Sequence, residues 1–169
     1  FPIISLVGPR QSGKTTLARA LFGEKAYVNV ELPDEREFAE EDPRGFLSRF
    51  PDGAVIDEVQ RTPELFSYLQ VDVDEDRRAG KWILTGSQNF LLMERISQTL
   101  AGRSAPLRLL PLSMAELSDW PACPDWSWSG FLLNGFYPRI YDQGIDAPAW
   151  YSSYVQTFVE RDVRSLANI

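Results

Sequence analysis

A mostly parallel β-sheet with helices on both faces is the architecture this sequence predicts, and two observations predict it. Five apolar runs of strand length recur, at Ile3–Val7, Tyr27–Val30, Ala54–Ile56, Trp82–Leu84 and Leu107–Leu110. Each of the four intervals between them holds material able to form a helix. Parallel strands need crossover connections of that kind, and two-sided burial makes their strands continuous apolar runs.

The elements justify themselves in order. No basic stretch precedes Phe1–Val7, so this run reads as a strand and not a signal peptide. A chain that enters its first strand at residue 1, without a methionine, is expected to be a piece of a longer protein. After the loop Gly8–Thr15, Leu17 and Leu21 sit four apart, as on the inner face of a helix. The acidic stretch from Leu32 to Phe50 is interrupted by Pro33 and Pro43, which predicts one or two short helices. Leu65, Leu69 and Val73, then Leu92, Ile96 and Leu100, repeat the core-facing spacing. From Ser118 to Gly130 prolines and tryptophans replace any period, predicting a linker. Beyond it Ala147–Arg164 carries Trp150, Tyr151, Tyr154, Val155, Phe158 and Val159 on a wide helical stripe. A segment of roughly 40 residues is too small for its own core. It is expected to dock on the first domain or to start a second. The predicted division is a core over 1–117, a linker over 118–130 and an incomplete, mainly helical second domain over 131–169.

Composition narrows the chemistry. The 169 residues are 44% hydrophobic and 12% aromatic, as in a globular protein, and no apolar run reaches the roughly 20 residues that span a bilayer. A net charge of -7 makes general nucleic-acid binding a poor expectation. Trp120, Trp126 and Trp128 raise the question of base stacking, yet Ser118–Trp150 holds one basic residue, Arg139, against four aspartates. These rings are therefore read as packing between core and tail. One cysteine and no histidine leave no disulfide and no zinc cluster, and point to a reducing cytoplasm.

The loop Gly8-Pro9-Arg10-Gln11-Ser12-Gly13-Lys14-Thr15 follows the first strand and opens a helix. In that context backbone N–H groups and a helix N-terminus converge on a phosphate. Residues Gly8 to Thr16 are the candidate nucleotide cradle. Lys14 is placed to reach the β- and γ-phosphates and the Thr15 hydroxyl to ligate Mg2+. Asp57, at the carboxyl end of Ala54–Ile56, offers a second hard oxygen for that ion, and Glu58 a general base for water. Arg10 either touches phosphate or pairs with an acid such as Glu58. The run Glu160–Arg164 reads as a solvated face with i,i+4 pairs, with an interdomain latch as its functional alternative. No Asn-Lys-x-Asp motif for guanine is present, which favours adenine.

GPRQSGKT followed by AVIDE resembles the additional-strand catalytic-glutamate branch of P-loop ATPases, which includes the AAA group. The blocks VNVELPDEREFAEEDP, LTGSQN, LLMERISQTLAGR, LRLLPLSMAEL and GFYPRIYD narrow the resemblance to predicted prokaryotic AAA-like ATPases with a C-terminal domain of unknown function. The resemblance implies a three-layer fold with sheet order 5-1-4-3-2. It also implies a polar sensor at the end of the fourth strand, either Thr85 or Ser87. Ser87 is preferred because a turn at Gly86 would lift it toward the γ-phosphate. By the same resemblance Arg103 either reaches a γ-phosphate, in its own chain or a neighbour's, or serves only as a helix-end cation. Action on a neighbour would require a homo-oligomer.

The expected function is Mg2+-dependent ATP binding and hydrolysis, with ATP and ADP as ligands, coupled to a change in the chain's own C-terminal domain. A slowly hydrolysing nucleotide switch and a small-molecule phosphotransferase stay open as alternatives.

Overall fold

The computed structural model describes residues 1–87, 98–120 and 127–159. The chain divides into two compact units, one of Phe1–Gly8 with Lys14–Leu109, the other of Pro9–Gly13 with Leu110–Ile169.

The first unit is built on five strands: β1 (Ile3–Gly8), β2 (Ala26–Asn29), β3 (Ala54–Asp57), β4 (Trp82–Ser87) and β5 (Ser104–Arg108). Their order is β2-β3-β4-β1-β5 and every pairing is parallel. This is the expected 5-1-4-3-2 sheet read from its other edge. Successive residues enter opposite cores, as the pleat requires. Ala54, Ile56, Trp82 and Leu84 join one cluster with Leu65, Phe66, Leu69 and Val73 of helix α4 (Leu65–Glu75). Val55, Ile83 and Leu6 join the other with Ala18 of helix α1 (Lys14–Leu21).

Two short helices, α2 (Pro33–Glu41) and α3 (Pro43–Ser48), fill the acidic interval. Each proline sits at the start of its helix, where its missing N–H costs nothing. The Asp42 carboxylate caps α3 by accepting from the Gly45 amide at 2.9 Å.

Several expectations need correction. Leu21 is 67% exposed and Ala18 is the buried apolar residue of α1, because a small side chain lets this short helix approach the sheet closely. The fifth strand begins at Ser104, three residues before its apolar run, and Leu107 and Leu110 are exposed. As an edge strand paired only with β1, it is not buried on both faces, so apolarity marks it poorly. Leu92, Ile96, Trp126 and Glu160–Arg164 lie outside the described residues.

The second unit contains α5 (Met114–Ser118), α6 (Trp128–Asn134), α7 (Pro138–Gln143) and α8 (Ala147–Tyr154), continued by a π-helical turn over Val155–Val159. Ser113 and Glu116 form a reciprocal cap on α5, while Ser127 caps α6 and Asp146 caps α8. This unit, which starts before the predicted second domain, has a core of its own: Leu117, Phe131, Ile140, Tyr141, Ala147 and Trp150 are buried together. Large aromatic rings compensate for its small size, with Tyr137 and Trp150 only 4.6 Å apart between centroids. Trp120 packs against this cluster, but Trp128 is 72% exposed and does not serve as packing. Among the described residues no helix is long and apolar enough to cross a membrane.

Candidate functional site

The loop after β1 holds two residues in the left-handed region, Gln11 at φ 61° and Gly13 at φ 95°. Gly13 takes this conformation freely, whereas Gln11 is strained by it. Among the described residues a Cβ added at Gly13 would meet nothing within 4 Å, so it is the backbone conformation and not crowding that calls for glycine there. Among the described residues the buried Ser12 hydroxyl has no hydrogen-bond partner. Lys14 opens α1, is 5% exposed and donates from Nζ to the Gly8 carbonyl at 3.1 Å. Its ammonium is thereby held at the carboxyl end of β1.

Asp57 ends β3 with 3% exposure, and three hydroxyls converge on its carboxylate. Thr15 donates to Oδ2 at 2.9 Å, Tyr27 to the same oxygen at 2.6 Å, and Thr85 to Oδ1. Sheet register explains the convergence. Tyr27 pairs with Val55, and Ile56 with Leu84, so β2 and β4 carry their hydroxyls to either side of Asp57. Helix α1 brings Thr15 from above the same face. Three charge-assisted bonds offset the desolvation of a buried carboxylate. Burial, and then the hydrogen bond and charge of Asp57, push the Tyr27 phenol well above its ordinary pKa, so it remains a donor. Because Thr15 gives its proton to Asp57, its lone pairs are available to a hard cation.

Among the described residues no group of three or more His, Cys, Asp or Glu side chains could hold a metal alone. The Thr15–Asp57 pair instead suits Mg2+, which retains waters and takes further oxygens from a bound phosphate.

Glu58 follows directly, half-buried, with a left-handed backbone at φ 59° and ψ 37°. Its carboxylate accepts from Gln60 Nε2. Ser87 pairs with Gly8 across β4 and β1, which sets it level with the start of the loop. Its hydroxyl is buried and has no hydrogen-bond partner among the described residues. Strand β4 runs straight through Gly86, so register and not a turn brings Ser87 there. Thr85 is engaged with Asp57, which separates the two sensor candidates.

Two arginines of the sequence reading have the following surroundings. Within the second unit, the Arg10 guanidinium lies 5.3 Å from the Phe158 ring centroid, and Tyr154 donates to the Arg10 carbonyl at 3.3 Å. Arg103 does not join the site of its own chain. The Ile3 amide donates to the Arg103 carbonyl, which fixes Arg103 at the amino end of β1, about 17 Å of strand from Gly8. There it forms a two-point pair with Asp74, at 2.8 and 2.7 Å. The strand that follows it, β5, begins at the end of the sheet opposite the loop, so this end of the connection does not reach the phosphate side.

The sequence model of the AAA domain family matches residues 1–118. The chain belongs to the AAA domain family. Two curated relatives, the uncharacterized protein Rv2008c of Mycobacterium tuberculosis and the uncharacterized protein Mb2031c of Mycobacterium bovis, are each 36% identical over 98% of the chain. The chain spans 37% of the length of either relative. Among solved structures, the Walker-type ATPase PABY2304 of Pyrococcus abyssi shares the fold with a TM-score of 0.58 at 15% identity, over 99% of this chain and 71% of that one.

In this AAA domain, three residues of the site had no motif to announce them. Tyr27 and Gln60 touch the two strand-end acids, and the Arg19 guanidinium lies 4.0 Å from the Tyr27 ring centroid. The available signal for Arg19 was its position four residues after Thr15, on the same face of α1.

Proposed function

We propose that this AAA domain binds Mg-ATP over Gly8–Thr16 and hydrolyses it to ADP, with the change at the γ-phosphate passed to the C-terminal part of the chain. The observation that carries this reading is the 2.9 Å hydrogen bond from Thr15 to Asp57, which joins the glycine loop to the strand-end acid. Lys14 and the loop amides bind the phosphate oxygens, and Thr15 and Asp57 hold the cation. Mg2+, when bound, neutralises charge on the β- and γ-phosphates. Glu58 accepts a proton from the attacking water, and Ser87 donates to the γ-phosphate. Arg103 takes no part within its own chain; its work is the pair with Asp74.

The bond from Gln60 to Glu58 favours a second reading, a slowly cycling switch, because it occupies the carboxylate that must meet water. Both readings share the binding site and differ in turnover. The test is Glu58→Gln, expected to bind ATP within about twofold of wild type while hydrolysis falls about 100-fold or more. Hydrolysis at the wild-type rate would remove Glu58 as the base. Fast single-turnover hydrolysis by the wild type would remove the switch.

A further inference from the structure

The phenol of Tyr27 has no assigned part in the nucleotide reading, yet it makes the shorter of the two bonds to Asp57 Oδ2. A buried oxygen that accepts from both Thr15 and Tyr27 has its direction fixed by two donors on different elements, α1 and β2. Tyr27 is fixed in turn. Its ring packs with Leu6, Ala18, Val55 and Ile83, and the Arg19 guanidinium lies on its outer face. Arg19 stands one helical turn beyond Thr15 on α1. The contacts therefore close a circuit, from Thr15 to Asp57, to Tyr27, to Arg19 and back along the helix. A circuit of this kind restricts where the Thr15 hydroxyl and the Asp57 carboxylate sit relative to one another, and that spacing is what an octahedral cation demands.

We propose that Tyr27, braced by Arg19, is a positioning residue for the Thr15–Asp57 cation site and sets the Mg2+ concentration at which nucleotide is held productively. The inference rests on the nucleotide reading above. It assigns Tyr27 no contact with substrate.

The experiment titrates Mg2+ against the binding of a fluorescent ATP analogue by the intact protein, in wild type, Tyr27→Phe, Arg19→Met and the double variant. Tyr27→Phe keeps the ring and its packing and removes only the hydroxyl. It is expected to raise the Mg2+ midpoint by about tenfold or more. Analogue binding in EDTA should stay within about twofold of wild type. Arg19→Met, at an exposed position, is expected to shift the midpoint in the same direction by less. The double variant should be no worse than Tyr27→Phe alone, as expected of residues acting in series. A midpoint that does not move overturns the inference. So does one that falls because the phenol had been competing with the cation. If Tyr27→Phe fails to fold by circular dichroism, Arg19→Met decides the matter by the same midpoint. A wild type that binds no analogue overturns the nucleotide reading itself, and a wild type that binds beside variants with unmoved midpoints overturns only the part given to Tyr27.

Discussion

Asp57 and Glu58 are neighbours in sequence with opposite circumstances, and their difference organises the site. Asp57 completes a strand, is buried and accepts from three hydroxyls. Glu58 leaves the strand through a left-handed backbone and is half-buried beside Gln60. A non-glycine residue held at positive φ stores strain that its surroundings must offset, a condition common where a side chain has to be aimed. Replacing Gln60 by Ala should release the Glu58 carboxylate and raise single-turnover ATP hydrolysis about tenfold, read by quenched flow. An unchanged rate would mean that Gln60 does not restrain the base. Of these residues, the loop Gly8–Thr15 and the acid pair were legible in the sequence because their chemistry is local to a strand end. Tyr27 was not, since its contact with Asp57 exists only once β2 lies beside β3 in a particular register.

At the scale of elements, legibility followed two-sided burial. Strands β1, β3 and β4 lie inside the sheet, and their apolar runs located them to within a few residues. Helix α4 followed its spacing, with Leu65, Leu69 and Val73 all buried. Strand β5 begins three residues before its apolar run, and helix α1 lies where it was expected but buries Ala18 in place of Leu21. Arg103 was left between several readings for a related reason, since a segment between two elements does not reveal at which end of the sheet it lies.

Two clusters fasten the end of α4 to the sheet. Arg103 pairs with Asp74, and Lys81, only 6% exposed, pairs with Asp72 and Asp76. Hydrogen bonds from Arg103 hold the Asp74 carboxyl below its ordinary pKa, and those from Arg78 and then Lys81 hold Asp76 lower still. Depressed carboxylates stabilise the fold fully above their unfolded value, about pH 4, and lose that stabilisation as the pH falls through their folded values. Urea midpoints should therefore be flat on this account from pH 7 to about pH 4 and then decline, and Asp74→Asn should shallow the decline. Leu69→Ala, in the fully buried stripe of the same helix, should cost about 2–5 kcal/mol at any pH in this range.

For the whole molecule, the two units differ in how they are built. The first is a sheet with a separate core on each face, and the second packs helices around an aromatic cluster. The first was foreseen from strand alternation. The second was foreseen only as a helical stripe of rings, because its core also draws on Leu112, Leu117 and Trp120, which precede that stripe in the chain. A ligand that binds only the folded state stabilises it by mass action, so Mg-ATP at 100 times its Kd should add about 2.7 kcal/mol to the unit that holds it.

The central claim is that Gly8–Thr15 holds the phosphates of ATP, and isothermal calorimetry of wild type against Lys14→Ala in Mg2+ tests it most directly. The wild type is expected to bind one ATP per chain saturably, and Lys14→Ala to bind at least about tenfold more weakly with its circular dichroism unchanged. Equal affinity in the two proteins would contradict it.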